Sequence, residues 1–116
     1  MTLQDLLDAH CENLPAGSPV LPAEDVHTYL GLVAGWEMNE DHTAITKRFR
    51  FESFSEAITF LSRLAPIADE EDHHPDVHLV QYRWLIVDFS THSIGGLSRN
   101  DFIMAAKVNE LYGASV

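Results

Sequence analysis

The chain has 116 residues, with 7 Lys plus Arg against 18 Asp plus Glu, for a formal net charge of −11. An apolar fraction of 46% suits one compact domain and excludes a disordered acidic tail. The acidic excess, with no basic patch to offset it, argues against direct binding to nucleic acid, and no apolar run approaches the ~20 residues of a membrane span.

The start, Met1 to His10, lacks a basic stretch followed by an apolar one, so no secretory signal is expected and the protein is expected to be cytoplasmic. Cys11 is the only cysteine, which excludes an internal disulfide framework and fits a reducing compartment. Thr2 to Cys11 reads as a short helix with Leu3, Leu6, Leu7 and His10 on one face, and Thr2 with Asp5 forms a capping box. Pro15-Ala16-Gly17-Ser18-Pro19 cannot continue it. A second helix starts at Pro22, with Glu24 and Asp25 at its positive end and an apolar stripe of Val26, Tyr29, Leu30 and Val33. Gly35 ends it.

Trp36–Met38 and Ala44–Phe51 predict two strands of a hairpin around Asn39-Glu40-Asp41-His42. In the second, Ile45, Phe49 and Phe51 alternate with Thr46, Arg48 and Arg50, and Lys47 interrupts the apolar face as a residue near a sheet edge would. Ser53 and Glu56 cap the strongest helix, where Phe54, Ala57, Ile58, Leu61, Leu64, Ala65 and Ala68 recur at helical spacing. Pro66 is expected to bend its last turn. Strands follow at Val77–Tyr82 and Arg83–Thr91, the latter alternating Leu85, Val87 and Phe89 with Ile86, Asp88 and Ser90. Gly95-Gly96 breaks the run. Ser98 with Asp101 caps a final helix, Leu97 and Phe102 form a hydrophobic staple, and Met104, Ala105, Val108, Leu111 and Tyr112 give it an apolar face.

The order predicts an α+β, two-layer domain: an antiparallel four-stranded sheet with helices on one face, a ββαββα core plus a leading N-terminal helix. The other sheet face calls for water, a ligand or a subunit.

The densest polar cluster runs from Asp69 to His78. It holds five carboxylates (Asp69, Glu70, Glu71, Asp72, Asp76) and three histidines (His73, His74, His78). Four of the carboxylates crowd the negative end of a helix, an unfavourable placement that needs a reason. Neighbouring carboxylates favour imidazolium, and a histidine poised between its two forms can give and take a proton in one cycle. A solvated acidic loop is the plainer alternative. A zinc site is disfavoured, because Pro75 interrupts the helical spacing of His74 and His78 and no second cysteine exists; no metal is expected. His92 ends a strand before a glycine-rich turn, a common place for exposed functional groups. His10, His27 and His42 read as surface residues. Asp101 is accounted for by capping alone. Cys11 lies outside the cluster with no basic neighbour, so a thiol nucleophile is not expected.

Asp69, three residues, His73-His74-Pro75, six residues, Tyr82, nine residues, His92, eight residues and Asp101 together resemble the signature of the pterin-4a-carbinolamine dehydratases. Gly35-Trp36, Arg48-Phe49-Arg50-Phe51 before a helix, and Ser90-Thr91-His92 with Gly96-Leu97-Ser98 resemble the family too. The match spans Leu21 to Leu111 and divides the chain into an N-terminal extension, residues 1–20, and a dehydratase-like domain, residues 21–116.

The resemblance implies a homodimer or homotetramer that dehydrates 4a-hydroxytetrahydropterin to quinonoid dihydropterin, with no cofactor. It implies His73, His74 and His92 as catalytic residues. His73 and His92 would be acid and base, His74 would hold the pterin ring, and Asp69, Asp101 and Pro75 would bind or orient. Val77 stands where many members have an aromatic residue, and the segment after Pro75 is one residue longer. Those departures, the extension and the acidic surface fit the branch of inactive dehydratase-like proteins in bacteria with carboxysomes. There the fold assists assembly of ribulose-bisphosphate carboxylase, so a protein client and a carboxysomal location are the alternative expectation.

Overall fold

A computed structural model describes residues 1–115. Its elements in chain order are α1 (Leu3–Asp8), α2 (Ala23–Leu30), β1 (Glu37–Met38), β2 (Ile45–Arg50), α3 (Phe54–Glu71), β3 (Asp76–Val80), β4 (Trp84–Phe89), a 3₁₀ turn (His92–Ile94) and α4 (Arg99–Ser115). The four strands form one sheet in the order β1-β2-β4-β3, and every pair is antiparallel. The fold is the expected α+β arrangement.

The register follows from period-two alternation. Phe49 lies opposite Leu85, and Lys47 opposite Val87, so the buried residues Ile45, Phe49, Leu85, Val87 and Phe89 share one face, as the pleat requires. That face meets α4, whose Phe102, Ile103, Met104, Ala105 and Val108 are all buried. Helix α4 touches β4, α3 and α1, so its buried surface is wider than the single stripe expected. On the outer sheet face, Arg48 stacks its guanidinium 4.4 Å from the Trp84 ring centroid. Lys47 points to the helical side, donates to the Ala34 carbonyl and Asn109 Oδ1 at 2.9 Å each, and sits where the two-residue β1 has run out.

Several boundaries differ from the periodicity for identifiable reasons. Helix α3 runs past Pro66 into the acidic run as expected, ending at Glu71. Its core side is Ala57, Phe60, Leu64 and Ala68, while Phe54 and Ile58 are exposed; the apolar stripe is broader than the buried one. Strand β3 stops at Val80 because Gln81 and Tyr82 take left-handed backbone (φ 48° and 57°), a turn without the Gly or Asn that would have announced it. His92 opens a 3₁₀ turn rather than ending a strand. That turn closes at Gly95, φ 69°, where a Cβ is disfavoured. Gly96 lies so close to Val20 that an added Cβ would stand 2.8 Å from its Cγ1.

The N-terminal extension joins the same core. Thr2 and Asp5 make both halves of the capping box on α1, Leu6 is fully buried, and Lys107 Nζ donates to the Leu7 carbonyl at 2.9 Å. None of the described helices is long and apolar enough to cross a membrane.

Candidate active site

Helix α3 ends in a Schellman motif. Asp72 adopts left-handed backbone (φ 50°, ψ 41°), its N–H donates to the Asp69 carbonyl, and the His73 N–H reaches back to the Ala68 carbonyl, both at 3.2 Å. The motif satisfies carbonyls left open at the helix end and swings His73 off the helix axis. Pro75 then holds the chain extended into β3.

His73 is directed inward, its side chain 11% exposed, with its ring stacked on Phe89 at 6.1 Å between centroids. Its Nε2 lies 2.7 Å from Oδ1 of Asp101, a residue with no exposed surface. Oδ2 of the same carboxylate accepts from the Thr91 hydroxyl and the Ser98 N–H, both at 2.9 Å. The Thr91 and Ser98 hydroxyls are 2.6 Å apart, and Ser98 Oγ accepts from the Asn100 N–H at 3.2 Å. Asp101 therefore closes the cap expected of it and also accepts from His73. A carboxylate that accepts assigns the proton to Nε2 and leaves Nδ1 without one.

Of the other expected residues, Asp69, His74, Pro75 and His92 are not among those lining the cavity that His73 enters. His74 Nε2 is 2.9 Å from Asp69 Oδ1, both side chains largely exposed. His92 is exposed and its ring hydrogen-bonds no described residue, but it stands between Thr91 and Ser93. Those two residues line a cavity of about 340 Å³ with His73, a volume at the lower end of small-molecule sites, roughly 300–1,000 Å³. His78 faces the outer side of the sheet, 3.9 Å from Asp88. Val77 pairs with Val87 and is not part of this cavity's lining. Among the described residues no three His, Cys, Asp or Glu side chains are grouped to hold a metal ion.

One expectation is corrected outright. Cys11 does not lie outside the cluster: residues Cys11 to Leu14 form a wall of the His73 cavity, facing Glu70 to Asp72. The Cys11 N–H donates to Glu71 Oε1 and the His10 ring meets Glu71 Oε2, both at 2.7 Å. These contacts explain part of the acidic run. Glu71 binds the N-terminal segment, Asp69 binds His74, and Asp72 makes the turn. Burial alone would raise the Glu71 pKa; the Cys11 N–H, the His10 ring and Lys107 outweigh it and hold the carboxyl below its ordinary value. Burial, with the Glu71 and Asp101 carboxylates adding to it, pushes the Cys11 thiol up to about 12, which disfavours the thiolate that nucleophilic attack needs.

Comparison with known proteins gives the chain's family. The family model described as pterin 4 alpha carbinolamine dehydratase matches residues 19–111. A protein of Xylella fastidiosa (strain 9a5c), named "Putative pterin-4-alpha-carbinolamine dehydratase", is 43% identical over 107 residues, 92% of this chain and 91% of its own length. A protein of the same name from Xanthomonas campestris pv. campestris (strain 8004) is 42% identical over 111 residues, 96% of this chain and 93% of its own. Among solved structures, a transcriptional coactivator/pterin dehydratase from Brucella melitensis superposes with a TM-score of 0.77 at 33% identity, covering 82% of this chain and all of that one. A pterin dehydratase-like protein identified as a RuBisCO assembly factor in the alpha-carboxysome gives a TM-score of 0.58 at 24% identity over 68% of this chain and 90% of its own, a likeness of fold alone.

Proposed function

We propose a function from one premise, that the chain belongs to the pterin 4 alpha carbinolamine dehydratase family: it dehydrates 4a-hydroxytetrahydropterin to quinonoid dihydropterin. The observation that carries this is the inward-facing His73, held through Nε2 by the buried Asp101 at the edge of a cavity.

The reaction breaks the C4a–O bond, takes the proton from N5, forms the C4a=N5 double bond and releases water. It needs a group that protonates the departing hydroxyl and another that accepts the N5 proton; two imidazoles suffice. In this proposal His73 Nδ1 and the His92 ring are those groups, with Asp101 fixing the His73 tautomer. His74, held by Asp69, supports the ring of the substrate together with Pro75. We place the active protein in a homodimer or homotetramer in the cytoplasm.

The test is stopped-flow dehydration of chemically generated 4a-hydroxytetrahydropterin. The wild type is expected to exceed the spontaneous rate well, and His73→Ala to lose on the order of a hundredfold, the scale of a positioned proton donor or acceptor. A fully active His73→Ala variant removes His73 from the mechanism. Correctly folded wild type with no turnover shifts the reading to an assembly role on a protein client such as ribulose-bisphosphate carboxylase, a role supported by the acidic surface and by the likeness of fold.

A further inference from the structure

The family model starts at residue 19, yet the chain upstream of it reaches the candidate site. Residues 10–14 lie outside helix and strand and run between α3 and α4 as a strap. None of the described strands pairs with it. Its backbone is held by two nearly buried side chains, Glu71 (side chain 5% exposed) and Asn100 (5% exposed). Glu71 accepts from the Cys11 N–H at 2.7 Å. Asn100 makes a two-way pair with Glu12: the Glu12 N–H donates to Asn100 Oδ1 at 2.9 Å, and Asn100 Nδ2 donates to the Glu12 carbonyl at 2.8 Å.

The strap is anchored on both sides. Leu6 upstream is fully buried, and the Leu21 N–H downstream bonds the Leu97 carbonyl at 3.0 Å. Burying a carboxylate and an amide to hold an irregular segment is costly unless every bond is made; apolar packing would attach a passive tail with less expense. What this clamp achieves is position, because Cys11 to Leu14 line the cavity together with His73 and Thr91.

We propose that the strap His10–Leu14 is a substrate-binding wall of the His73 site, and that Asn100 and Glu71 are the positioning residues that hold it there. The inference rests on the dehydratase reading above, since the substrate it confines is the pterin. Asn100 and Glu71 also line the cavity, but their side chains bond the strap and neither His73 nor the Asp101 carboxylate, so their loss weakens binding and leaves proton transfer as it was.

The experiment compares wild type, Asn100→Ala and Glu71→Leu, which unclamp the strap from different helices. Three quantities are measured: iodoacetamide labelling of Cys11 at pH 8.5, binding of 7,8-dihydrobiopterin by fluorescence quenching, and steady-state dehydration across pH. Released, the half-buried Cys11 thiol becomes accessible, and labelling is expected to accelerate at least roughly tenfold. Dihydrobiopterin affinity is expected to fall and KM to rise about tenfold, with kcat and its pH profile unchanged. If labelling accelerates while affinity and KM stay at wild-type values, the strap is no part of the site and the inference fails alone. If kcat and its pH profile move instead, the substitutions act on Asp101 and His73, and the positioning role is likewise overturned. A wild type that neither binds dihydrobiopterin nor turns over overturns the dehydratase reading and this inference with it.

Discussion

Asp101 shows how one carboxylate combines two tasks that the sequence separates. Its spacing from Ser98 identifies a cap, and that cap exists. Nothing local announces that Oδ1 also meets His73, 28 positions earlier; the pairing exists because α4 and the end of α3 flank the same sheet end. Asp101→Asn separates the roles. An amide of the same shape offers one oxygen and one NH₂, whereas the site presents donors to both positions: His73 Nε2 on one side, the Thr91 hydroxyl and Ser98 N–H on the other. If the NH₂ faces His73, Nε2 must accept and the proton moves to Nδ1, the opposite tautomer to the one Asp101 holds. If it faces Ser98, a buried donor meets a donor, at a cost of about 1–3 kcal/mol. Asp101→Asn is expected to lower kcat at least a hundredfold with a smaller effect on KM, and to lower the urea midpoint. A variant with wild-type kcat would show that the carboxylate is a cap and nothing more.

At the scale of elements, the sheet was readable and the strap was not. The alternation of Leu85, Val87 and Phe89 fixes which face of β4 is buried, because a one-residue slip would expose all of them. The capping residues Thr2, Ser53 and Ser98 likewise mark their helices. The turn at Gln81-Tyr82 and the clamp on residues 10–14 carry no local signal; the clamp joins positions separated by 60 to 88 residues. The clamp has a pH signature whose sign follows from Glu71. Its folded pKa lies below its ordinary value, about 4.3 for a free glutamate, so its contribution is fully present above that value and is lost as pH falls through the folded one. Hydrogen exchange of the Cys11 and Glu12 amides, corrected for intrinsic rate, is expected to be slow at pH 6 and, as pH falls below the ordinary carboxylate range, to lose protection before the β2 and β4 amides do. Protection lost in all of them together on acidification would mean that the carboxylate charge does not hold the strap.

At the scale of the whole molecule, the net charge of −11 is poorly compensated, and the structure shows why. Among the described residues, Arg50 with Glu52 at 2.9 Å is the one pair that joins a Lys or Arg to a carboxylate. Lys47 and Lys107 serve backbone carbonyls, and Arg48 lies on Trp84. Burial holds the Lys47 pKa below its ordinary value, so this cation is itself disfavoured in the fold. The acidic groups therefore repel one another across the surface with few opposite charges between them, and compaction brings them closer. Screening relieves this: the Debye length shrinks from about 30 Å at 0.01 M salt to about 10 Å at 0.1 M. Raising sodium chloride over that range at pH 7.5 is expected to stabilise the fold by roughly 1 kcal/mol, about 4 °C in the melting midpoint for a domain near this size. Potassium chloride should act equally, because the effect is one of ionic strength. The clamp at Glu71 is nearly buried and less screened, so Cys11 labelling should change little over the same salt range. A midpoint that stays flat or falls with salt would mean that the surface carboxylates are spaced widely enough not to oppose folding.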